Sequence, residues 1–213
     1  MAKFEGNLGT HLLLLLVAVI WGTTWAVARF LSYGLDESTG ANLGPATAAW
    51  LRYLVAVIAF VAWCWAYRNR NGPRMLPHDS RSWRYTVWLG LLGTMAYQLL
   101  FMHGMKWTAA GDASLIIPIN PVFTVLLAAP MLGQKVTKRM AFGLLLGIVG
   151  VSVVVGWSPN TDIPFEHRLL GDAMIVLAAL AWATNSNLTK IALEEDGIGT
   201  TEELVIWYSI VGW

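Results

Sequence analysis

Long apolar stretches alternate with short polar ones along the chain. A membrane-spanning helix needs about 20 mostly apolar residues, because ~30 Å of hydrocarbon is crossed at ~1.5 Å per residue. Six stretches reach this length, and a seventh starts near Leu204 and runs only to Trp213. The pattern predicts an all-α membrane protein, a multi-span helical bundle that is cut short in its seventh span. The six complete spans are predicted at residues 12–31, 45–67, 85–107, 109–132, 140–157 and 169–193.

The composition agrees with a lipid-embedded chain. Of the 213 residues, 56% are hydrophobic and only 13% are charged, whereas soluble domains carry about 25% charged residues. The net charge of +1 provides no basic surface for nucleic acid. A single cysteine, Cys64, excludes a disulfide framework within the chain and a multi-cysteine metal site.

The distribution of lysine and arginine over the short loops predicts the orientation of the bundle. Basic residues concentrate in the loops that follow spans two and four, and Lys3 precedes span one on the same side. We therefore expect a cytoplasmic N-terminus. The basic loop residues are Arg68, Arg70, Arg74, Arg81, Arg84, Lys135, Lys138 and Arg139, and the opposite loops carry Asp36, Glu37, Asp162 and Glu166.

Spans one and six share a local pattern that suggests an internal repeat. When Trp21 is aligned with Trp182, Arg29 meets Lys190, and an apolar run precedes the tryptophan in both copies. Five spans separate the copies, and an odd number of spans reverses direction, so the second copy would be inverted in the membrane. Inverted repeats place a binding site at their interface. Chance similarity between two apolar helices is the alternative.

Several short motifs resemble those of a known transporter family. They are Ile20-Trp21-Gly22-Thr23-Thr24, Arg52-Tyr53, Ala113-Ser114-Leu115, Asn120-Pro121-Val122-Phe123-Thr124 and Leu132-Gly133-Gln134-Lys135. Together they resemble the EamA-type branch of the drug/metabolite transporter superfamily, although this family usually has glutamate where Gln134 stands. The resemblance implies a cell (inner) membrane carrier of ten spans, built from two inverted five-span repeats around a central cavity. Residues 1–157 would form the first repeat and residues 158–213 the start of the second.

Two features within the spans are candidates for a substrate path. Arg52 lies seven residues beyond Pro45, about 10 Å along its helix. It either snorkels to the headgroups, the interpretation we favour slightly, or faces a cavity and binds a carboxylate. In span four, Pro118 and Pro121 flank Asn120 and obstruct the helical hydrogen-bond ladder. Such broken helices mark carrier sites, but a purely structural kink is the alternative.

Other polar and aromatic side chains fall on common helix faces. Tyr97 or Gln98 shares a face of span three with Gly90, Thr94, Phe101 and Met105, because these positions recur every three to four residues. Trp21 and Thr24 of span one, and Trp182 and Asn185 of span six, form two comparable stripes. If the repeat holds, the stripes face each other and the two tryptophans form walls. Ordinary packing between helices competes with this interpretation for each residue.

Gly143 and Gly147 form a GxxxG pair in span five. The pair can pack against another span of the same bundle, which we favour, or join two protomers in a homodimer.

The sequence favours one function over two others. His11, His78, His103 and His167 are scattered without a ligand-spaced partner, and no nucleophile motif occurs, so we expect no catalytic residues, metal or cofactor. The leading hypothesis is a secondary efflux carrier that moves a small metabolite by alternating access, with membrane lipid and the substrate as its partners and no nucleic acid. The alternatives are a seven-span sensor or receptor and, less favoured, a membrane-embedded enzyme.

Overall fold

The computed structural model describes residues 8–33, 44–67, 79–157, 163–195, 198 and 201–213. This part of the chain is almost entirely helical. The helices are α1 (Leu8–Tyr33), α2 (Pro45–Tyr67), α3 (Ser80–Leu89), α4 (Tyr97–Trp107), α5 (Ala110–Ile116), α6 (Asn120–Leu132), α7 (Lys138–Trp157), α8 (Phe165–Lys190) and α9 (Thr201–Gly212).

The predicted spans reappear as helices with shifts of a few residues at their ends. Within the described residues, five stretches are long and apolar enough to cross a membrane. They are Leu8–Leu31, Pro45–Ala62, Ser80–Trp107, Ala110–Leu132 and Phe165–Glu194. In addition, the 20-residue helix α7 coincides with predicted span five, and α9 coincides with the start of the seventh. This confirms the prediction of a multi-span helical membrane protein.

The outer surface of the bundle is apolar, as a lipid-facing surface must be. On α1, the side chains of Leu13 and Leu15 are 64% and 62% exposed. On α7, Phe142 is 63% exposed. In water such surfaces would be a liability, because soluble proteins rarely expose large contiguous apolar patches. In a bilayer, helices satisfy their own backbone hydrogen bonds and present these side chains to lipid.

Besides the π-helical end of the α8 span at Ile191–Glu195, two spans depart from regular α-helix beside the centre of the bundle. Between α3 and α4, the segment Gly90–Ala96 is a π-helix, which sequence analysis did not foresee. Between α5 and α6, Ile117–Ile119 forms a 3₁₀ turn, because Pro118 and Pro121 lack the backbone donors that an α-helix requires. The predicted break in span four is thus confirmed. Both interruptions are of the kinds that occur at functional sites in helical proteins.

The core centres on the crossing of α4 with α8. Gly104 and Gly171 lie where the two backbones approach closely, since a Cβ added at Gly171 would be 2.7 Å from the backbone nitrogen of Thr108. Small residues permit this approach. Helix α1 packs on the other side of α4, and the Arg29 guanidinium donates to the carbonyl oxygens of Met105 and Lys106 at distances of 2.6 and 2.9 Å. The cation thereby satisfies free carbonyls at the end of α4.

The orientation and the repeat boundaries remain predictions. Most of the loop charges behind the orientation fall outside the described residues, namely Lys3, Asp36, Glu37, Arg68, Arg70, Arg74 and Asp162. No observation on the described helices tests whether residues 1–157 and 158–213 belong to two related repeats.

Candidate functional site

A cavity of about 420 Å³ lies inside the helical bundle. Its walls come from α1, α2, the π-helical segment with α4, the 3₁₀ turn with α6, α8 and α9. Seven of the ten residues predicted for a substrate path line it: Trp21, Thr24, Arg52, Tyr97, Gln98, Asn120 and Trp182. Folding therefore brings together side chains that are up to 161 positions apart in sequence.

Aromatic rings form a continuous wall of this cavity. The Trp25 ring meets Phe101 edge to face with 5.4 Å between centroids. Phe101 stacks on Tyr97 at 5.9 Å, and Tyr97 in turn meets Trp182 at 5.1 Å. Rings at these separations attract one another and bury a large apolar area. The wall thus offers a rigid apolar surface to a ligand, and Trp21 adds a further ring at the rim, where it is 69% exposed.

Arg52 is the one charged residue among the described residues that line the cavity. Its guanidinium carbon lies 5.6 Å from the centre of the Phe101 ring, and Nη1 donates to Sδ of Met102 at 3.6 Å. In the described part of the chain, no carboxylate forms an ion pair with it. The guanidinium therefore points into the bundle and keeps most of its hydrogen-bonding capacity, because a thioether is a weak acceptor.

Two side-chain amides add polar groups to the apolar wall. The Gln98 side chain is 4% exposed and its Nε2 atom has no hydrogen-bond partner. Oδ1 of Asn120 is likewise buried and without a partner. Unsatisfied polar atoms are costly to bury. Both residues line the cavity, so each places a side-chain amide beside a ligand that enters it.

The π-helical segment explains why Tyr97 and Gln98 line the cavity together. The helical spacing of the sequence predicted either Tyr97 or Gln98 on the shared face of span three. A π-helix has more residues per turn than an α-helix, so the face that continues from Gly93 is broader than the α-helical spacing predicts. Gly93, Tyr97, Gln98 and Phe101 all line the cavity.

Three predicted site residues lie away from the cavity wall. Pro118 and Pro121 are exposed. Their neighbours Ile117 and Asn120 line the cavity instead. Their effect is on the backbone, where they break the helix. Asn185 is 3% exposed and lies behind Gly93, where a Cβ would come within 2.6 Å of its amide. It supports the wall from behind.

Several lining residues were not singled out by sequence analysis. They are Trp25, Tyr53, Ala56, Phe60, Gly93, Ile117, Tyr208 and Ser209. Trp25 could have been found, because it follows Trp21 by four positions and so shares its helix face. Tyr208 and Ser209 belong to α9.

The two glycines of the GxxxG pair of α7 differ in how closely other residues approach them. A Cβ at Gly147 would lie 2.8 Å from Cγ2 of Val122 on α6, whereas one at Gly143 would have nothing within 4 Å. Gly147 therefore packs within the bundle, as the favoured interpretation requires. A homodimer through this face remains a prediction.

The described residues contain no group of three or more His, Cys, Asp or Glu side chains that could hold a metal ion. The polar side-chain groups of the cavity are hydroxyls, amides, indole N–H groups and one guanidinium. This set suits noncovalent recognition of a small organic molecule.

Comparison with known proteins relates the chain to membrane transporters. It is 30% identical over 193 residues to an uncharacterized transporter of Archaeoglobus fulgidus, an alignment that covers 89% of this chain and 61% of the relative. It is 27% identical over 200 residues to a probable amino-acid metabolite efflux pump of Escherichia coli, covering 93% of this chain and 59% of the relative. Over 90 residues it is 39% identical to a probable terminal-alkyne amino-acid exporter of Streptantibioticus cattleyicolor, covering 42% of this chain and 28% of the relative.

The chain spans about three-fifths of the length of the first two of these relatives. No solved structure matches it. Residues 8–156 match the EamA-like transporter family. With a match that covers most of its length and a bundle of membrane-spanning helices, this chain belongs to the EamA-like transporter family.

Proposed function

We propose that the native protein is a secondary carrier that exports a small carboxylate-bearing metabolite by alternating access. The single observation that carries the proposal is the position of Arg52. It is the one charged residue among the described lining residues and has no carboxylate partner there. A cation inside a bilayer is costly unless it pairs or contacts water. A substrate carboxylate would pair with its planar fork in bidentate fashion.

The rest of the cavity supports a substrate with an apolar part. The rings of Trp25, Phe101, Tyr97 and Trp182 form one surface, and the amides of Gln98 and Asn120 provide polar contacts beside it. A volume of about 420 Å³ falls within the range of small-molecule sites, roughly 300–1,000 Å³. An amino acid derivative with an apolar side chain fits these requirements. The names of two relatives, an amino-acid metabolite efflux pump and an amino-acid exporter, point to the same class.

Alternating access is the mechanism that the broken helices favour. Discontinuous helices at a central cavity occur in carriers whose halves rock around a fixed site. Here the 3₁₀ turn Ile117–Ile119 and the π-helical segment Gly90–Ala96 both border the cavity. Residues from α1 and α8, the two helices that share the repeat pattern predicted from the sequence, both line it.

Transport by the native full-length protein in proteoliposomes tests the proposal. The probes are a panel of aromatic and aliphatic amino acids, each beside its uncharged amide and its decarboxylated amine. We expect export of at least one carboxylate and failure to export its matched amide and amine. Arg52→Gln should reduce that transport by about ten- to a hundredfold, since a hydrogen-bonded charge pair contributes ~1.5–3 kcal/mol. Arg139→Gln, an exposed residue outside the cavity, is the matched control.

Two outcomes would contradict the proposal. One is equal transport of acid, amide and amine, and the other is full activity of Arg52→Gln at normal protein levels. Either result would indicate that Arg52 has the structural role of a snorkelling side chain. Saturable binding of a carboxylate without any translocation would favour the seven-span sensor.

A further inference from the structure

A second group of polar side chains lies at the far end of α4, away from the cavity. Oγ1 of Thr108 donates a hydrogen bond to Oδ1 of Asp172 on α8. One turn earlier on α8, Nε of Arg168 lies 3.9 Å from Oδ2 of Asp112, which belongs to α5. All four residues are buried, with Thr108 and Asp172 at most 1% exposed. We call these four residues the Thr108 cluster.

The cluster joins two parts of the chain that are distant in sequence. Thr108 lies on the turn from α4 into α5 and Asp112 in the first turn of α5, whereas Arg168 and Asp172 lie on the first two turns of α8. The hydrogen bond and the ion pair of the cluster therefore cross between the same two segments. Neither contact lies within a single helix, unlike the hydroxyl bonds of Thr184 and Ser186 on α8, which end on carbonyls of their own helix.

The helix dipole stabilises the Asp112 carboxylate in the first turn of α5, but it does not stabilise the buried Arg168 cation near the start of α8. Removing two ions from water costs several kcal/mol per ion, and well-packed apolar residues often stabilise a protein as much or more. Ionisable residues within membrane spans are for the same reason rare and associated with function. The Thr108 cluster contacts none of the described residues that line the cavity wall on α4, since that wall ends at Phe101, about 10 Å away.

The space between the cluster and the cavity is closed by tight packing. Met102, Met105 and Ile175 are fully buried there. A Cβ at Gly104 would lie 2.8 Å from Cδ1 of Ile175 and 3.0 Å from the carbonyl oxygen of Gly171. Side chains packed this closely leave no path for a solute. In this structure α4 and α8 therefore leave no path between them at the Thr108 end.

We propose that the Thr108–Asp172 hydrogen bond and the Asp112–Arg168 ion pair form a latch that holds the α4–α5 turn against the start of α8, and that the latch breaks when the cavity opens to that face of the membrane. The role of the latch in transport rests on the function proposed above. The existence of the latch does not rest on it, because the latch is a property of the resting protein. Paired polar groups suit such a switch, since they fix one arrangement when together and are solvated by water when apart.

Hydrogen–deuterium exchange of the native full-length protein in lipid nanodiscs tests the latch without any substrate. Thr108→Val removes one hydrogen bond between the segments, and Asp112→Asn removes one ion pair. We expect backbone amides of residues 104–112 and 165–175 to exchange about five- to tenfold faster in Thr108→Val and at least about tenfold faster in Asp112→Asn, because local opening needs less free energy.

Two control variants match these changes in chemistry. Thr184→Val removes a hydroxyl bond that stays within α8, and Glu194→Gln removes an exposed pair with Lys190. Neither should alter exchange at the Thr108 end. Unchanged exchange in both latch variants would overturn the proposal. A uniform increase over the whole bundle would overturn it too, since the cluster would then contribute only global stability. If Asp112→Asn fails to fold, the milder Thr108→Val decides the question.

Transport measurements then separate the latch from the proposed function. For a substrate identified in proteoliposomes, Thr108→Val should change its Kd by less than about twofold but its transport rate by more than about threefold, because the variant alters the balance between conformations rather than the binding site. A changed Kd with an unchanged rate would contradict the latch. Absence of transport by the unmodified protein would refute the proposed function and leave the exchange result standing.

Discussion

Arg52 of α2 and Phe101 of α4 meet at the cavity, with the guanidinium carbon 5.6 Å from the ring centre. Cations are attracted to the negative face of an aromatic ring, and Phe101 also contacts the rings of Trp25 and Tyr97. The aromatic wall thus holds the cation in place without neutralising it. This arrangement joins the two binding elements of the proposed site, one for a carboxylate and one for an apolar side chain.

Arg52→Lys tests whether the geometry of the guanidinium matters beyond its charge. Lysine keeps the charge but loses the planar fork that binds a carboxylate through two parallel hydrogen bonds. We expect KM for a transported carboxylate to rise about tenfold, less than in Arg52→Gln. Arg139→Lys is the matched control. An Arg52→Lys protein with unchanged KM would show that charge alone is sufficient.

Gly93→Ala tests the contact between the π-helical segment and α8. The added Cβ would lie 2.6 Å from the Asn185 amide, so Asn185 or the backbone must move. We expect destabilisation by about 1–3 kcal/mol, the usual cost of overpacking, measured as a lower thermal midpoint in detergent. Gly111→Ala, where nothing lies within 4 Å of the new atom, should not lower the midpoint. Equal midpoints for the two variants would argue against the tight contact.

Asn187→Ala tests the attachment of α8 to α6. The Asn187 side chain donates from Nδ2 to the carbonyl oxygen of Thr124 at 3.0 Å. Its loss should cost about 1 kcal/mol, because it removes the side-chain hydrogen bond that joins the two helices. Ser186→Ala removes a bond that stays within α8 and should change stability by less. The free energies of unfolding are compared by reversible unfolding in mixed micelles. A larger loss of stability in Ser186→Ala than in Asn187→Ala would contradict this account.

Asp79 provides a pH-dependent cap at the start of α3, just before the membrane span. Its Oδ1 accepts from the backbone nitrogen of Ser82 at 2.8 Å. Hydrogen bonds from Ser82, its hydroxyl foremost and then its amide, lower the pKa of Asp79. A carboxyl whose folded pKa is lowered stabilises the helix above its unfolded pKa of about 3.9, and this contribution is lost as the pH falls through the lower folded value.

We therefore expect the backbone amides of residues 80–84 to become less protected against hydrogen exchange as the pH falls through the folded pKa of Asp79. Asp79→Ala should show the weaker protection already at neutral pH, because alanine cannot cap a helix. Asp79→Asn should retain part of it without the acid transition. A native protein whose protection in this segment is constant down to the lower folded pKa and beyond would refute the assignment.

Span positions could be predicted from the sequence because they depend on local composition. Span two was predicted at residues 45–67, the bounds that α2 has. The break at Pro118 was equally predictable, since proline removes a backbone donor wherever it stands. The π-helical segment at Gly90–Ala96 was not, because it depends on α9 and α8 packing against that stretch. Tyr208 and Ser209 were not predicted as site residues, because they lie on α9 and reach the cavity only through the packing of that helix.

A bundle of membrane helices with a small set of polar and aromatic residues inside could be predicted from the amino-acid sequence, because hydrophobic length and proline chemistry act locally. Which of those residues meet became visible in the packed bundle. Trp21, Arg52, Tyr97 and Trp182 line one cavity, while Asn185 stands behind its wall. Thr108 and Asp172 bond across 64 positions. Side-chain encounters of this kind depend on the angles at which helices cross, and those angles result from packing over the whole bundle.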